Sequence, residues 1–182
     1  MKLTQLDTFL YLVEDFLTLS ECDDLVYWSE QKGYEEAKVQ VSGQEVMLKS
    51  VRNNSRITFI DHELAHRLWE RFQPFAPERY GNSQVTGFNE MFRFYKYEPG
   101  QRFKRHKDGS YIRNECEVSH FTWMVYLNDD FEGGHTIFDN HDIRPRKGTV
   151  LVFEHQLKHA GEELQSGIKY VLRTDIMFKQ LL

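Results

Sequence analysis

The sequence predicts a mainly β domain, a sandwich or barrel with helices packed outside it. Three observations carry this. The chain has 182 residues, the size of one ordinary domain and enough to bury a real core. Helix-like patterns are confined to its first part. From residue 88 onward the apolar period falls to two, in short runs separated by Gly-, Asp- and Asn-containing turns. Helices first and strands after is the order expected when helices support a β core.

Taken in order, TFLYLV (residues 8–13) reads as a short strand. SECDDLVYWSEQKG (20–33) reads as a helix with Ser20 as N-cap, Asp23 in the capping-box position and Gly33 as the stop. A polar stretch to about residue 56 reads as a loop or hairpin. DHELAHRLWERF (61–72) is a second helix, with Asp61 as N-cap and Leu64, Leu68 and Phe72 on one stripe; Pro74 and Pro77 end it. NEMFRFYKY, RFKRHKD, SHFTWMVYLN, HTIFD, GTVLVFE and GIKYVLRTDIMF then read as strands. The chain divides into residues 1–87, supporting helices and strands, and 88–180, the β core, within one domain spanning 1–182.

Two of these strands have unlike faces. In GIKYVLRTDIMF, Ile168, Tyr170, Leu172, Thr174, Ile176 and Phe178 alternate with Lys169, Val171, Arg173, Asp175 and Met177. In SHFTWMVYLN, Phe121, Trp123, Val125 and Leu127 alternate with His120, Thr122, Met124, Tyr126 and Asn128. Either the polar faces meet solvent, or they line a barrel that holds a polar ligand while the apolar faces lie beneath the helices.

A net charge of -5 offers no general attraction to phosphate backbones, so no nucleic-acid partner is expected. Two cysteines, Cys22 and Cys116, are too few for a disulfide framework and fit a reducing compartment. The apolar start MKLTQLDTFLYLVEDFLTLS is interrupted by Asp7, Glu14 and Asp15, and nothing approaches the roughly 20 apolar residues of a spanning helix. A cytoplasmic protein without a membrane partner is the expectation.

His62, Glu63 and His66 spell His-Glu-x-x-His, the shorthand for a zinc peptidase in which two His share a helical face and the Glu is general base. The surroundings argue against it. The positions where an extended motif needs Gly and His hold Trp69 and Phe72. A downstream acidic ligand could only be Glu90, at the head of a strand, and His62 sits at the fraying first turn.

A second constellation lies in YEPGQRFKRHKDGS. His106 and Asp108, at i and i+2 of an extended segment, point the same way and can converge on one ion. Alone such a pair is weak. Downstream, FEHQLKHAGEELQSGIKYVLRTD supplies His159, with His155 as its rival, and then Lys169 and Arg173 on one strand face. Two His and one carboxylate make the facial triad of non-haem Fe(II) oxygenases, filling three octahedral positions and leaving three open. Two open positions suit a bidentate 2-oxo acid and the third suits O2. A cation on the barrel wall, Lys169 or Arg173, would hold the far carboxylate.

In FRFYKYEPGQRFKRHKD, TWMVYLNDDFEGGHTIFD and RPRKGTVLVFEHQLKHAGEELQSGIKYVLRTDIMF the chain resembles the Fe(II)/2-oxoglutarate-dependent dioxygenases, most closely the prolyl 4-hydroxylase-like branch. The resemblance implies a double-stranded β-helix, or jelly roll, with N-terminal helices packed outside. It implies His106, Asp108 and His159 as iron ligands. Lys169, favoured over Arg173 by its spacing from the last His, would pair with the 2-oxoglutarate C5 carboxylate, Tyr126 would add a hydrogen bond there, and Tyr97 and Thr136 would line the co-substrate pocket. The implied reaction hydroxylates an unactivated C–H bond of a prolyl residue or another amino-acid-like substrate, small or peptidyl, with release of succinate and CO2. Ascorbate is a further reductant such enzymes use. Asp108 favours hydroxylation over halogenation, for which the carboxylate is missing. Zinc peptidase and nucleic-acid-base demethylase stand as alternatives, as does a non-catalytic binding module. Residues 34–56 and 109–119 read as loops bordering the barrel mouth.

Overall fold

The computed structural model describes residues 1–36, 39–41, 44–46 and 53–181. Its first part runs β1 (Lys2–Asp7), β2 (Leu10–Glu14), α1 (Leu19–Lys32), β3 (Glu35–Glu36), β4 (Val39–Val41), β5 (Gln44–Val46), β6 (Ser55–Ile60), α2 (His62–Phe72), β7 (Arg79–Tyr80) and β8 (Ser83–Phe88). Then come β9 (Met91–Tyr97), β10 (Phe103–His106), β11 (Ile112–Asn114), β12 (Glu117–Tyr126), β13 (Glu132–Gly133), β14 (Thr136–Ile137), β15 (Asp142–Ile143), β16 (Val150–Glu154), β17 (His159–Gly161), β18 (Leu164–Ser166) and β19 (Lys169–Gln180).

The larger sheet has the order β1-β2-β16-β12-β19-β9-β6-β3, and β8 pairs with the far half of β19. The smaller sheet has the order β10-β17-β14-β15, with a short β13-β18 pair beside it. All these pairings are antiparallel. Two antiparallel sheets with helices outside the larger one are the double-stranded β-helix implied above.

The period of two sorts each long strand of the larger sheet between two cores. Tyr11, Val13, Phe92, Phe94, Phe121, Trp123, Val125, Val150, Val152, Tyr170, Leu172, Ile176 and Phe178 join Leu64, Ala65, Leu68 and Phe72 of α2 in one cluster. Their neighbours Leu10, Tyr95, Tyr97, Tyr126, Leu151, Phe153 and Val171 form the second, with Phe138, Ile143 and Leu164 from the opposite side. Of the two readings of the strand faces, the structure has the apolar faces under the helices and the mixed faces inside the barrel.

Three expectations need correction. Helix α1 is capped by Thr18, not Ser20, and Glu21 rather than Asp23 completes the capping box. Both pairs fit the spacing, but Glu21 also meets Arg71 of α2 at 2.7 Å, which fixes the earlier start. The strand period begins before residue 88, since β1, β6 and β8 all start ahead of it, and β6 falls partly in the stretch read as a loop or hairpin. Strand β11 lies within the stretch 109–119 read as a loop. Of the 34–56 stretch, β3, β4, β5 and the start of β6 are strand, β4 and β5 forming a hairpin; residues 37–38, 42–43 and 47–52 lie outside the described residues. Helix α2 keeps its predicted Asp61 cap, whose side chain accepts from the Leu64 N–H, and Pro74 follows in a single 3-10 turn.

Candidate functional site

The smaller sheet brings His106 and His159 together directly. β10 and β17 are antiparallel, and these two residues are partners in the register. Asp108, just past the end of β10, is tied back by its own N–H, which donates to the His155 carbonyl at 3.1 Å. Ligand atoms of His106, Asp108 and His159 all lie within 4.8 Å of one another. Among the described residues this is the only group of three or more His, Cys, Asp or Glu side chains so placed.

The orientation of each donor is fixed from behind. Nδ1 of His106 lies 2.7 Å from the Lys104 carbonyl and Nδ1 of His159 lies 3.0 Å from the Leu157 carbonyl. A carbonyl can only accept, so each Nδ1 carries a proton and each Nε2 is the nitrogen left to bind a metal. Those Nε2 atoms stand 3.5 and 3.8 Å from the two Asp108 oxygens. That is at or beyond the reach of a hydrogen bond, so the three groups face one another without being bonded together. Phe103 stacks on His106 with centroids 3.5 Å apart, and Phe153 and Phe138 flank His159. Two imidazoles and a carboxylate held this way fit a divalent iron, by donor type and by count.

Electrostatics set the state of Asp108 and His159. Burial would raise the Asp108 pKa, but Arg173, with His106 and His159 beside it, holds the carboxyl well below its usual range. Burial pulls His159 down to about 4, against the opposing pull of Asp108, so its imidazole is neutral near pH 7. Asp108 accepts from Arg173 Nη1 at 3.0 Å on Oδ1 and from Thr122 Oγ1 at 2.6 Å on Oδ2.

A single pocket is lined by His106, Asp108 and His159 and also by Lys169, Arg173, Tyr97 and Thr136. Lys169 begins β19 and is buried, with its Nζ donating to the Gly134 carbonyl and lying over the rings of Tyr97 and Tyr126 at 5.5 and 5.4 Å. Gly134 has a φ of +66°, and a Cβ there would come within 3.0 Å of Leu164 and 3.3 Å of Lys169, so the GlyGly turn suits only glycine. Burial draws the Lys169 ammonium down to about 7. Tyr126 sits behind the pocket wall and shares a 2.7 Å hydrogen bond with Thr136. Arg173 lines the same pocket, but its guanidinium is engaged by Asp108, Thr122 and Asp175.

His62 and His66 are elsewhere. Their side chains are 81% and 72% exposed and they meet Glu90 and Glu70. Burial of Leu64, Ala65, Leu68 and Phe72 dictates this, because it turns the opposite face of α2 to solvent.

Several residues of the site escaped sequence reasoning. Thr122 and Asp175 lie on the faces named above, yet nothing in the alternation says that one would donate to Asp108 and the other hold Arg173. Tyr95, Phe103, Met124 and Phe153 also line the pocket. Tyr95 and Met124 could have been read from the period of two that places Tyr97 and Tyr126.

A family profile described as the 2OG-Fe(II) oxygenase superfamily matches residues 92–174. Searched against curated proteins, the sequence finds no match. Among solved structures, a viral collagen prolyl hydroxylase from Paramecium bursaria Chlorella virus-1, in its 2OG complex, aligns with TM-score 0.66 and 23% identity, over 93% of this chain and 96% of that one. A prolyl hydroxylase from Trichoplax adhaerens, in complex with a hypoxia inducible factor peptide fragment, aligns with TM-score 0.73 and 18% identity, over 92% and 83%. A prolyl-4-hydroxylase from Pseudomonas putida gives TM-score 0.65 and 17% identity, over 96% and 94%. At such identities these likenesses establish the fold.

Proposed function

We propose that this chain, whose residues 92–174 match a profile described as the 2OG-Fe(II) oxygenase superfamily, hydroxylates a prolyl or other amino-acid-like substrate, with His106, Asp108 and His159 as the iron ligands. The observation that carries the reading is one pocket holding three converging ligand atoms and a buried lysine. When bound there, ferrous iron with 2-oxoglutarate and O2 supplies oxidative decarboxylation to succinate and CO2, coupled to hydroxylation of an unactivated C–H bond.

The chain's own residues bind and orient. The Lys104 and Leu157 carbonyls fix the imidazole tautomers, and Arg173 with Thr122 fixes Asp108. Lys169 is the cation for the co-substrate's C5 carboxylate. Its present partner is a neutral carbonyl rather than a carboxylate, and an anion arriving in so dry a place is held strongly. Arg173 is the poorer choice because two carboxylates already engage it. Thr136 and Tyr126, joined to each other, and Tyr97 shape that end of the pocket. Phe103, Phe138 and Phe153 keep water from the imidazoles.

The substrate class draws support from relatives of the same fold. The viral and Pseudomonas proteins are named prolyl hydroxylases, and the Trichoplax enzyme holds a peptide. A peptidyl substrate follows as the first choice. Among the described residues no helix is long and apolar enough to cross a membrane.

The test is anaerobic addition of Fe(II) and then 2-oxoglutarate to the metal-free protein. A weak visible charge-transfer band should appear, absent in His106→Ala, and O2 should then convert 2-oxoglutarate to succinate. A protein giving neither band nor succinate would refute the proposal.

A further inference from the structure

Behind Asp108 lies a row of buried charges that the reaction does not consume. Arg173 Nη1 donates to Asp108 at 3.0 Å, while its Nη2 donates to Thr122 Oγ1 at 3.1 Å and to Asp175 Oδ1 at 3.2 Å. Asp175 is itself engaged on the other oxygen by Arg93 Nη1, at 3.2 Å, and by Asn89 Nδ2, at 3.4 Å. His155 completes the row. Its Nε2 lies 3.6 Å from Asp175 Oδ1, its Nδ1 faces Ser110 Oγ at 3.5 Å, and its carbonyl holds the Asp108 N–H. Side chains of Asp108, Asp175 and Arg173 are 4%, 2% and 12% exposed.

Position in the sheets explains why these groups meet. Asp175 and Arg173 are two apart on β19 and share a face; Thr122 is the cross-strand partner of Asp175, and Arg93 of Arg173. The count of formal charge matters more. Two guanidinium groups, Arg173 and Arg93, face two carboxylates, Asp108 and Asp175, and the formal charges of these four groups cancel.

A guanidinium beside a carboxylate prefers to bind both of its oxygens at once, in a two-pronged pair. Were Arg173 free to do so, it would take up the oxygens of Asp108 and bring an uncompensated positive charge against a divalent cation. Here only one Arg173 nitrogen reaches Asp108, because the other is drawn toward Thr122 and Asp175.

We propose that Asp175 is a positioning residue for the metal site: it restrains Arg173, so that Asp108 is steadied by one hydrogen bond and stays available as a ligand. This rests on the reading of His106, Asp108 and His159 as the ligands. Asp175 touches none of them; it acts through Arg173.

The experiment is a titration of the metal-free protein with Mn(II), followed by calorimetry or by loss of the free-ion EPR signal, with no co-substrate and no turnover. It compares the wild type with His106→Ala, Asp175→Asn, Arg173→Met, the double Asp175→Asn/Arg173→Met and Arg93→Gln. The expected Kd rises roughly 10–100-fold in Asp175→Asn, the range for residues that support a ligand from behind. In the double variant the Kd returns to that of Arg173→Met alone, because with no Arg173 to restrain, Asp175 has nothing to do. A residue that merely holds the fold together would weaken binding equally with and without Arg173. That result overturns the proposal, as does an Asp175→Asn protein binding like wild type. Should Asp175→Asn not fold, Arg93→Gln decides. Removing the guanidinium that competes with Arg173 for Asp175 should leave the Kd unchanged or tighter, and a Kd more than about threefold weaker contradicts the restraint. Failure of the wild type itself to bind Mn(II), or unaltered binding in His106→Ala, would instead count against the ligand assignment.

Discussion

His62 and His66 stand one helical turn apart on α2, with a glutamate between them, and they are exposed. His106, Asp108 and His159 come from two strand ends far apart in the chain, and they share a pocket. The first group has the tighter sequence spacing and the poorer site. Spacing places side chains on one face of an element; packing then decides where that face looks. On α2 the apolar stripe claims the inward face and leaves the histidines outside. On β10 and β17 the register sets two imidazoles side by side, and just past β10 the Asp108 N–H on the His155 carbonyl brings in the carboxylate.

The sharpest way to break this contrast is to remove one histidine from each group. His159→Ala should lower succinate formation by more than about a hundredfold, since even residues that only support a ligand cost 10–100-fold. His66→Ala should leave it within about twofold, because exposed substitutions away from special features shift free energy by under about 0.5 kcal/mol. Peptide hydrolysis lost with Glu63→Gln would reverse the contrast.

Lys169 sharpens the comparison inside the pocket. Lys169→Ala should raise the 2-oxoglutarate Kd roughly 30-fold or more while leaving the Mn(II) Kd unchanged, because it removes one partner of a buried charge pair and no metal ligand. The pH dependence has a definite sign. Only the protonated amine holds the dianion, and in the free protein it titrates near 7. Affinity is therefore full below that pH. It weakens as pH rises through it, by at most about tenfold per unit, until the pKa of the complex is passed. Lys169→Arg should bind with no such dependence, since arginine stays charged. Isothermal titration at several pH values checks both statements.

Stability gives the same contrast on the two faces of α2. Phe72→Ala should cost about 3–5 kcal/mol, because it empties a fully buried place between Phe88 and Trp123. His66→Ala should stay within about 0.5 kcal/mol. Thr18→Ala, which removes the cap of α1, falls between them at about 1 kcal/mol. Urea unfolding followed by circular dichroism gives all three.

The sequence is readable where one local rule decides. The alternation in SHFTWMVYLN and GIKYVLRTDIMF separates the face under the helices from the face inside the barrel, residue by residue. Asp61 caps α2 because no rival cap lies nearby. Where two local answers compete, tertiary contact chooses: Thr18 prevails over Ser20 because Glu21 has Arg71 to meet. Only Ser55 and Arg56 of strand β6 fall in the polar stretch; Ile57, Thr58, Phe59 and Ile60 have strand composition, and pairing with β9 carries the strand back over the two polar residues. The restraint of Arg173 was hidden for a similar reason. Which cation on a polar face meets which anion depends on Thr122 and Asp108, brought in from other elements.

The central claim is that one divalent ion is shared by two strand-end histidines and the aspartate between them in space. Anaerobic crystals grown with Mn(II) and 2-oxoglutarate test it most directly, by anomalous scattering. A single strong peak within coordination distance of His106 Nε2, His159 Nε2 and an Asp108 oxygen, with 2-oxoglutarate reaching toward Lys169, is the predicted result. A peak at His62 and His66, or none at the pocket, would contradict it.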